Sequence, residues 1–265
     1  MYDFAYHRPA TVAEAVKLLA ADPEAKVISG GMSLIPVLKQ RLARPSALID
    51  LGGIPDLAGI SVGATSVTIK GRTTHAAVAA SPEVKRAIPA LADLASHIGD
   101  PQVRNRGTIG GSIANHDPTA DYPAAVLGLG ATVHTSKRRI AADDFFTGLF
   151  STALEPDEIV TAVEFPIPEK AAYMKFPNPA SRYAMVGVFV AKGPMGVRVA
   201  VTGAGAHGVF RHAAMEEALA KSWSPEALEG ITTPAEDLNN DIHASREYRA
   251  HLVGVMAKRA VAKAS

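Results

Sequence analysis

Two short segments pair glycines with hydroxyl side chains: "SGGMSL" at 29–34 and "TIGGSIAN" at 108–115. Consecutive backbone N–H groups without Cβ obstruction, flanked by Ser or Thr, can wrap a phosphate oxygen. Two such loops can hold one pyrophosphate from both sides. Neither segment has the G-x-G-x-x-G spacing of a Rossmann cradle with an acidic residue about 20 positions on, and neither continues into the Gly-Lys-Ser/Thr of a P-loop. One Gly-Gly pair is as readily a plain turn. Two pairs with matching flanks put ligand binding on an equal footing with the turn, and the sequence leaves both open.

Downstream of the second pair stand His116, Asp117 and Asp121. Their types suit zinc or manganese. A closed site needs further ligands at a diagnostic spacing, and His97 and His134 supply none, so no metal is expected. Asp117 before Pro118 reads as a turn organiser, and Asp121 as the cap of a helix in "DYPAAVLGL" with one oxygen turned to a ligand hydroxyl. Ser112 and His116 are four residues apart but lack a G-x-S-x-G elbow, so no catalytic nucleophile is expected. Arg104 and Arg106 in "QVRNRG" suit either an anionic ligand or a solvated loop.

These residues must be positioned by a chain of 265 residues, long enough for two domains. Lys plus Arg number 27 against 26 Asp plus Glu, so no global field favours nucleic acid. With no cysteine, disulfides and thiolate-held metal clusters are excluded, and any redox chemistry needs an organic cofactor. No signal-like N-terminus and no long apolar run occur, so a cytoplasmic protein without membrane insertion is expected.

Thr11 with Glu14 forms a capping box ahead of a helix, and "KVI" enters the first Gly-Gly pair as a strand that gives way to a helix from Leu34. "ALIDL" at 47–51 reads as a buried strand and "SVTIKG" at 66–71 as one with a wet face. Residues 83–97 read as helix. "GDPQVRNRGTIGGSIAN" is too rich in Gly, Pro and Asn for a regular element and reads as a loop entering a short helix. After strands at "ATVHTS" and "DEIVTAVEFPIP", two longer strands and polar-faced helices around 211–221 and 245–264 place a domain boundary near residue 170. Alternation buries Tyr183, Met185 and Gly187 together and leaves Arg182, Ala184 and Val186 on the other face. Lys175 taken alone reads as a solvated strand lysine. Residues 222–245 are the most loop-like stretch, expected to be ordered by a partner.

The ordered set "SGGMSLIP", "IGDPQVRNRGTIGGSIANHDPTADYPAA", "EIVTAVEFP", "YMKF" and "ASRYAMVGV" resembles the FAD-binding medium subunit of the molybdenum hydroxylases, which include carbon monoxide dehydrogenase and the xanthine dehydrogenases. The resemblance spans nearly the whole chain. It implies an α+β fold: a two-subdomain FAD-binding domain of the PCMH, vanillyl-alcohol-oxidase-like type over 1–170 (subdomains 1–53 and 54–170). A smaller C-terminal α/β domain of the CO dehydrogenase flavoprotein type follows over 171–265, with an antiparallel sheet and helices. By this resemblance Ser29, Gly30, Gly31, Met32, Ser33 and Leu34 form the first pyrophosphate loop, and Thr108, Ile109, Gly110, Gly111 and Ser112 the second. Asp121 falls where the family contacts ribityl or ribose hydroxyls, Val160 at a strand position near the cofactor, and Lys175 at a lysine approaching the flavin. Tyr183 matches an aromatic lying against the isoalloxazine ring.

Met32 departs from the His of the carbon monoxide dehydrogenase type. A thioether cannot donate a hydrogen bond to phosphate, a loss of roughly 1.5–3 kcal/mol that Ser29, in place of the usual Ala, offsets in part. The resemblance further implies a large subunit with a molybdenum cofactor and a small subunit with two [2Fe–2S] clusters, assembled as a dimer of heterotrimers. In that assembly this chain passes electrons from the clusters to an external acceptor such as quinone, NAD or oxygen. A stand-alone FAD oxidoreductase and a non-redox nucleotide-binding protein are the alternatives.

Overall fold

The computed structural model describes residues 1–264; Ser265, the last residue of the expected C-terminal domain, lies outside the described residues. Strand β1 (Ala5–His7) is followed by α1 (Val12–Ala21), whose first turn is capped by Thr11 accepting the Glu14 N–H at 3.2 Å. The Glu14 carboxylate reaches back to the Ala10 N–H at 3.0 Å, one residue before the cap itself. β2 (Lys26–Ile28), α2 (Leu34–Lys39) and β3 (Ala47–Asp50) complete a parallel sheet in the order β1-β3-β2. The first Gly-Gly pair lies between β2 and α2.

A second, antiparallel sheet begins with β4 (Ile60–Val62) and β5 (Ser66–Lys70), where Val67 and Ile69 are fully buried while Ser66 and Thr68 lie on the wetter face. Helices α3 (His75–Ala80), α4 (Pro82–Ala87) and α5 (Pro89–Ser96) follow. The single helix expected over 83–97 is split, because Ile88 before Pro89 is pushed out of helical geometry (φ −141°).

The stretch expected to be a loop entering a short helix holds two helices, α6 (Pro101–Arg106) and α7 (Ile109–Asn115). Asp100 caps the first by accepting the Val103 N–H at 2.8 Å, with Pro101 pre-set for the first turn. Thr108 caps the second, which buries Ile109 and Ile113. Caps and burial outweigh the poor helix propensity of the glycines.

Helix α8 (Tyr122–Leu129) is buried on every side. β6 (Thr132–Thr135), β7 (Arg139–Ala141), α9 (Ala142–Phe145), the hairpin β8 (Phe146–Gly148) and β9 (Ser151–Thr152), and β10 (Val160–Pro166) follow, giving the order β4-β5-β10-β6-β7.

The remaining strands, β11 (Lys170–Pro177), β12 (Ala184–Gly193), β13 (Gly196–Thr202) and β14 (Phe210–Arg211), form an antiparallel sheet in sequence order. β11 adds a third long strand to the two expected. Helices α10 (Ala213–Lys221) and α11 (Arg246–Lys263) complete the chain's elements. Val186, Val188 and Val190 pack with Val253, Met256 and Ala257 of α11, while Phe189 and Ala191 join the core around α8. Both faces of β12 are thus covered, so Ala184 and Val186 are not on a wet face, and Tyr183 precedes the strand and is 48% exposed.

Residues 222–245 are ordered by their own chain. Leu228 and Leu238 enter the core beneath α11, the Asn239 N–H donates to Ala204 O at 2.8 Å, and Arg249 pairs with Asp241 at 2.7 Å. Among the described residues no helix is long and apolar enough to cross a membrane.

Candidate functional site

A cavity of about 550 Å³ opens where the parallel sheet, the second sheet and the loop before β12 meet. On one side β2 ends at Ile28 and the chain turns through Gly31, whose φ of +75° favours glycine. The Ile35 N–H closes onto Gly31 O at 2.9 Å. Among the described residues, the backbone N–H groups of Gly30, Gly31, Met32, Ser33 and Leu34 have no acceptor within the chain. All of these residues, with Ser29, line the cavity. They form a run of unpaired donors suited to an anion.

The second Gly-Gly segment faces them. A Cβ at Gly30 would lie 2.2 Å from Arg106 O, and the Ser29 and Thr108 hydroxyls pair at 3.1 Å. Here the structure departs from two equivalent cradles. The Ile109 N–H donates to Thr73 O at 3.1 Å, the Gly110 N–H to Gly71 O at 2.8 Å, and the Gly111 N–H to Thr108 Oγ1 at 3.3 Å. These donors are consumed in docking α7. What the segment offers the cavity is Thr108, the edge of Gly110, Gly111 and Ser112, with Ala114 and Asn115 beyond them. Ile109 points into the core instead, fully buried.

Asp121 lines the cavity but is only 4% exposed. It occupies the cap position of α8 without a capping hydrogen bond, contrary to expectation. One carboxylate oxygen accepts the Tyr173 hydroxyl at 2.5 Å and the other the Lys175 ammonium at 3.0 Å. Burial pushes the carboxyl above its usual range, against the opposing pull of Lys175 and Tyr173. Lys175 is not solvated: its side chain is 6% exposed, and Nζ also donates to His97 O at 3.1 Å. It does not line the cavity and meets it through Asp121.

Val160, at the start of β10, and Tyr183 supply apolar and aromatic wall. Residues not foreseen also line the cavity, among them His75, Phe150 and Arg182. Phe150 and Arg182 hold positive φ values of 50° and 62°, a backbone state that sequence pattern does not announce in a non-glycine residue. His75 is 4% exposed and its pKa is lowered to about 4, chiefly by burial and further by Arg104.

Arg104 donates to Ile98 O and Gly99 O at 3.0 Å each, and neither it nor Arg106 lines the cavity. Asp117 accepts the N–H and hydroxyl of Thr119, the turn role expected of it. His116 is buried with its Nδ1 on Ser151 O at 2.9 Å, so its ring is not paired with the Ser112 hydroxyl.

With this geometry in place, the family of FAD-binding domains in molybdopterin dehydrogenases matches residues 2–168, and that of CO dehydrogenase flavoprotein C-terminal domains matches 171–264. The chain belongs to the FAD-binding subunits of the molybdopterin dehydrogenases. It is similar to the nicotine 6-hydroxylase medium subunit of Paenarthrobacter nicotinovorans, at 37% identity over 98% of this chain and 96% of that one. Similarity to the carbon monoxide dehydrogenase medium chain of Hydrogenophaga pseudoflava is 35% over 97% and 96%. Among solved structures, the reconstituted CO dehydrogenase from Oligotropha carboxidovorans superposes with a TM-score of 0.91 at 34% identity, covering 99% of this chain and 98% of that one. The quinoline 2-oxidoreductase from Pseudomonas putida 86 gives 0.89 at 31%, covering 99% and 97%.

This FAD-binding subunit is a flavoprotein component of an oxidoreductase, and its cofactor is FAD. The residues present fit that cofactor. Unpaired N–H donors at 30–34 suit a pyrophosphate, the Asp121 carboxylate suits sugar-like hydroxyls, and the cavity lies in the size range of small-molecule sites.

Proposed function

We propose that this chain is the electron-exit subunit of a molybdenum hydroxylase, and that FAD lies in the cleft between the two Gly-Gly segments. The observation that carries this reading is the run of unpaired N–H groups from Gly30 to Leu34, facing a cavity that also presents the buried Asp121 carboxylate. In this reading Ser29 to Leu34 hold the pyrophosphate. Thr108 and Ser112 add hydroxyl contacts, while Gly110 and Gly111 permit close approach. Ile109 anchors the second segment from the core. Asp121 orients hydroxyls of the cofactor, held by Lys175, and Val160 and Tyr183 wall the ring. Bound FAD supplies hydride and single-electron chemistry. The chain's own residues position and shield it, so no general base is required of them.

With no cysteine the chain cannot hold an iron–sulfur cluster through thiolates. The assembly proposed therefore joins it to a [2Fe–2S] small subunit and a molybdenum-cofactor large subunit as a dimer of heterotrimers in the cytoplasm. An external quinone, NAD or oxygen takes the electrons. Titration with FAD, followed by quenching of flavin fluorescence, is expected to saturate at one FAD per chain. Absence of saturable binding, both alone and with the partner subunits, overturns the reading.

A further inference from the structure

Gly187 is the one glycine in the interior of β12, directly opposite Lys175 on β11. A glycine weakens a strand interior, and this one has no positive φ to justify it. A Cβ there would lie 2.2 Å from the Tyr173 hydroxyl oxygen and 2.9 Å from Thr202 Cγ2. The missing side chain makes room for Tyr173, 2% exposed, to cross the sheet face and reach Asp121.

Thr202, paired with Gly187 on the other side, places its hydroxyl 2.7 Å from Ala120 O and 3.2 Å from Pro118 O. The Gly203 N–H donates to Pro118 O at 2.8 Å. Strands β11 and β13, which flank β12, thus converge on the segment ending in Asp121. Each carboxylate oxygen receives one protein donor and keeps lone-pair capacity for a ligand hydroxyl.

We propose that Tyr173 is a positioning residue that aims the Asp121 carboxylate at the hydroxyls of bound FAD, with Gly187 as the gap that admits it and Thr202 as the brace for the Asp121 segment. The C-terminal sheet thereby sets the affinity of a cleft whose phosphate end lies elsewhere. This deepens the FAD reading above and rests on it.

The groups facing the carboxylate are Tyr173 and Lys175 of β11, Tyr122 of α8, His97 beyond α5 and Tyr183 before β12. Burial acts to protonate Asp121, and the Tyr173 hydroxyl opposes it. Removing that hydroxyl raises the pH below which the carboxylate is lost.

The test is FAD affinity of the full chain, by fluorescence quenching across pH, in Tyr173→Phe, Asp121→Asn and the double variant. Tyr173→Phe is expected to weaken binding about tenfold, the loss of one hydrogen bond to a charged group, and to move the acid fall-off of affinity to higher pH. In the Asp121→Asn background the same change is expected to alter affinity by less than about twofold, because the two act as one unit. Additive losses, or a Tyr173→Phe affinity and pH profile equal to the parent's, overturn the proposal while leaving FAD binding intact. A parent chain that binds no FAD overturns both. Should Tyr173→Phe fail to fold, Thr202→Val decides: several-fold weaker binding with an unchanged circular dichroism spectrum supports the proposal, and unchanged affinity defeats it.

Discussion

In the first Gly-Gly segment the N–H groups of Gly30 to Leu34 have no acceptor in the described chain, whereas in the second those of Ile109, Gly110 and Gly111 are bonded to Thr73, Gly71 and Thr108. The same dipeptide leaves a run of free donors in one place and forms the docked first turn of a helix in the other. Its glycines also have different reasons. Gly31 answers to its positive φ. Gly30 and Gly110 answer to backbone atoms, Arg106 O and Gly71 O, at which a Cβ would arrive within 2.2 and 2.6 Å. At Gly111 a Cβ would meet only Thr108 Oγ1, at 3.0 Å, so the cavity it faces is the stronger reason for its being glycine.

The contrast is tested hardest at Gly30. Gly30→Ala drives a Cβ into a carbonyl that cannot swing away, so the segments must separate. The expected cost is about 3 kcal/mol of folding stability or more, with loss of saturable FAD binding, measured by urea unfolding and FAD titration. A variant as stable as the parent would mean that the two segments do not touch.

His75 supports only the second segment: its N–H donates to Gly107 O at 3.0 Å, and its ring fills the space a Cβ at Gly107 would need. With a folded-state pKa of about 4 against 6.5, the unfolded chain takes up the proton first. The contribution of His75 to stability is therefore full above pH 6.5, declines by up to about 3 kcal/mol as pH falls toward 4, then levels off. Chemical unfolding at a series of pH values checks this, and His75→Gln is expected to flatten the slope. A slope that survives the substitution assigns it to other groups.

The smallest effect on stability is expected at Gly111. Gly111→Ala gains helix propensity of about 0.5–1 kcal/mol against a tight contact with Thr108, so stability stays within about 1 kcal/mol of the parent. FAD affinity is nevertheless expected to fall at least about tenfold, roughly 1.4 kcal/mol, because the added methyl faces the cleft. If affinity is unchanged, binding belongs to the first segment alone.

What was legible in the sequence is what local chemistry decides. The Thr11 cap, the alternation of Val67 and Ile69, and the passage from β2 through glycines into α2 all follow from neighbours a few residues apart. The helices at 101–115 are masked by the Gly, Pro and Asn content of the stretch, although Asp100, Pro101 and Thr108 start them. The unequal donors of the Gly-Gly segments were beyond reach, since they depend on where Gly71 and Thr73 dock. Lys175 reads as solvated from sequence alone because its partner, Asp121, is distant in the chain, and Tyr183 reads as buried because the alternation continues one residue beyond the strand's start at Ala184.

The hydroxyl pair between Ser29 and Thr108 joins residues 79 positions apart. Closing so long a loop gives no local reward until both ends are in place. Asp121 then waits on strands that come later still, with Tyr173 and Lys175. During synthesis from the N-terminus, the run of free donors at 30–34 emerges early, but the cavity around it is among the last features to close. On the reading proposed above, cofactor loading therefore belongs to the end of the chain's making.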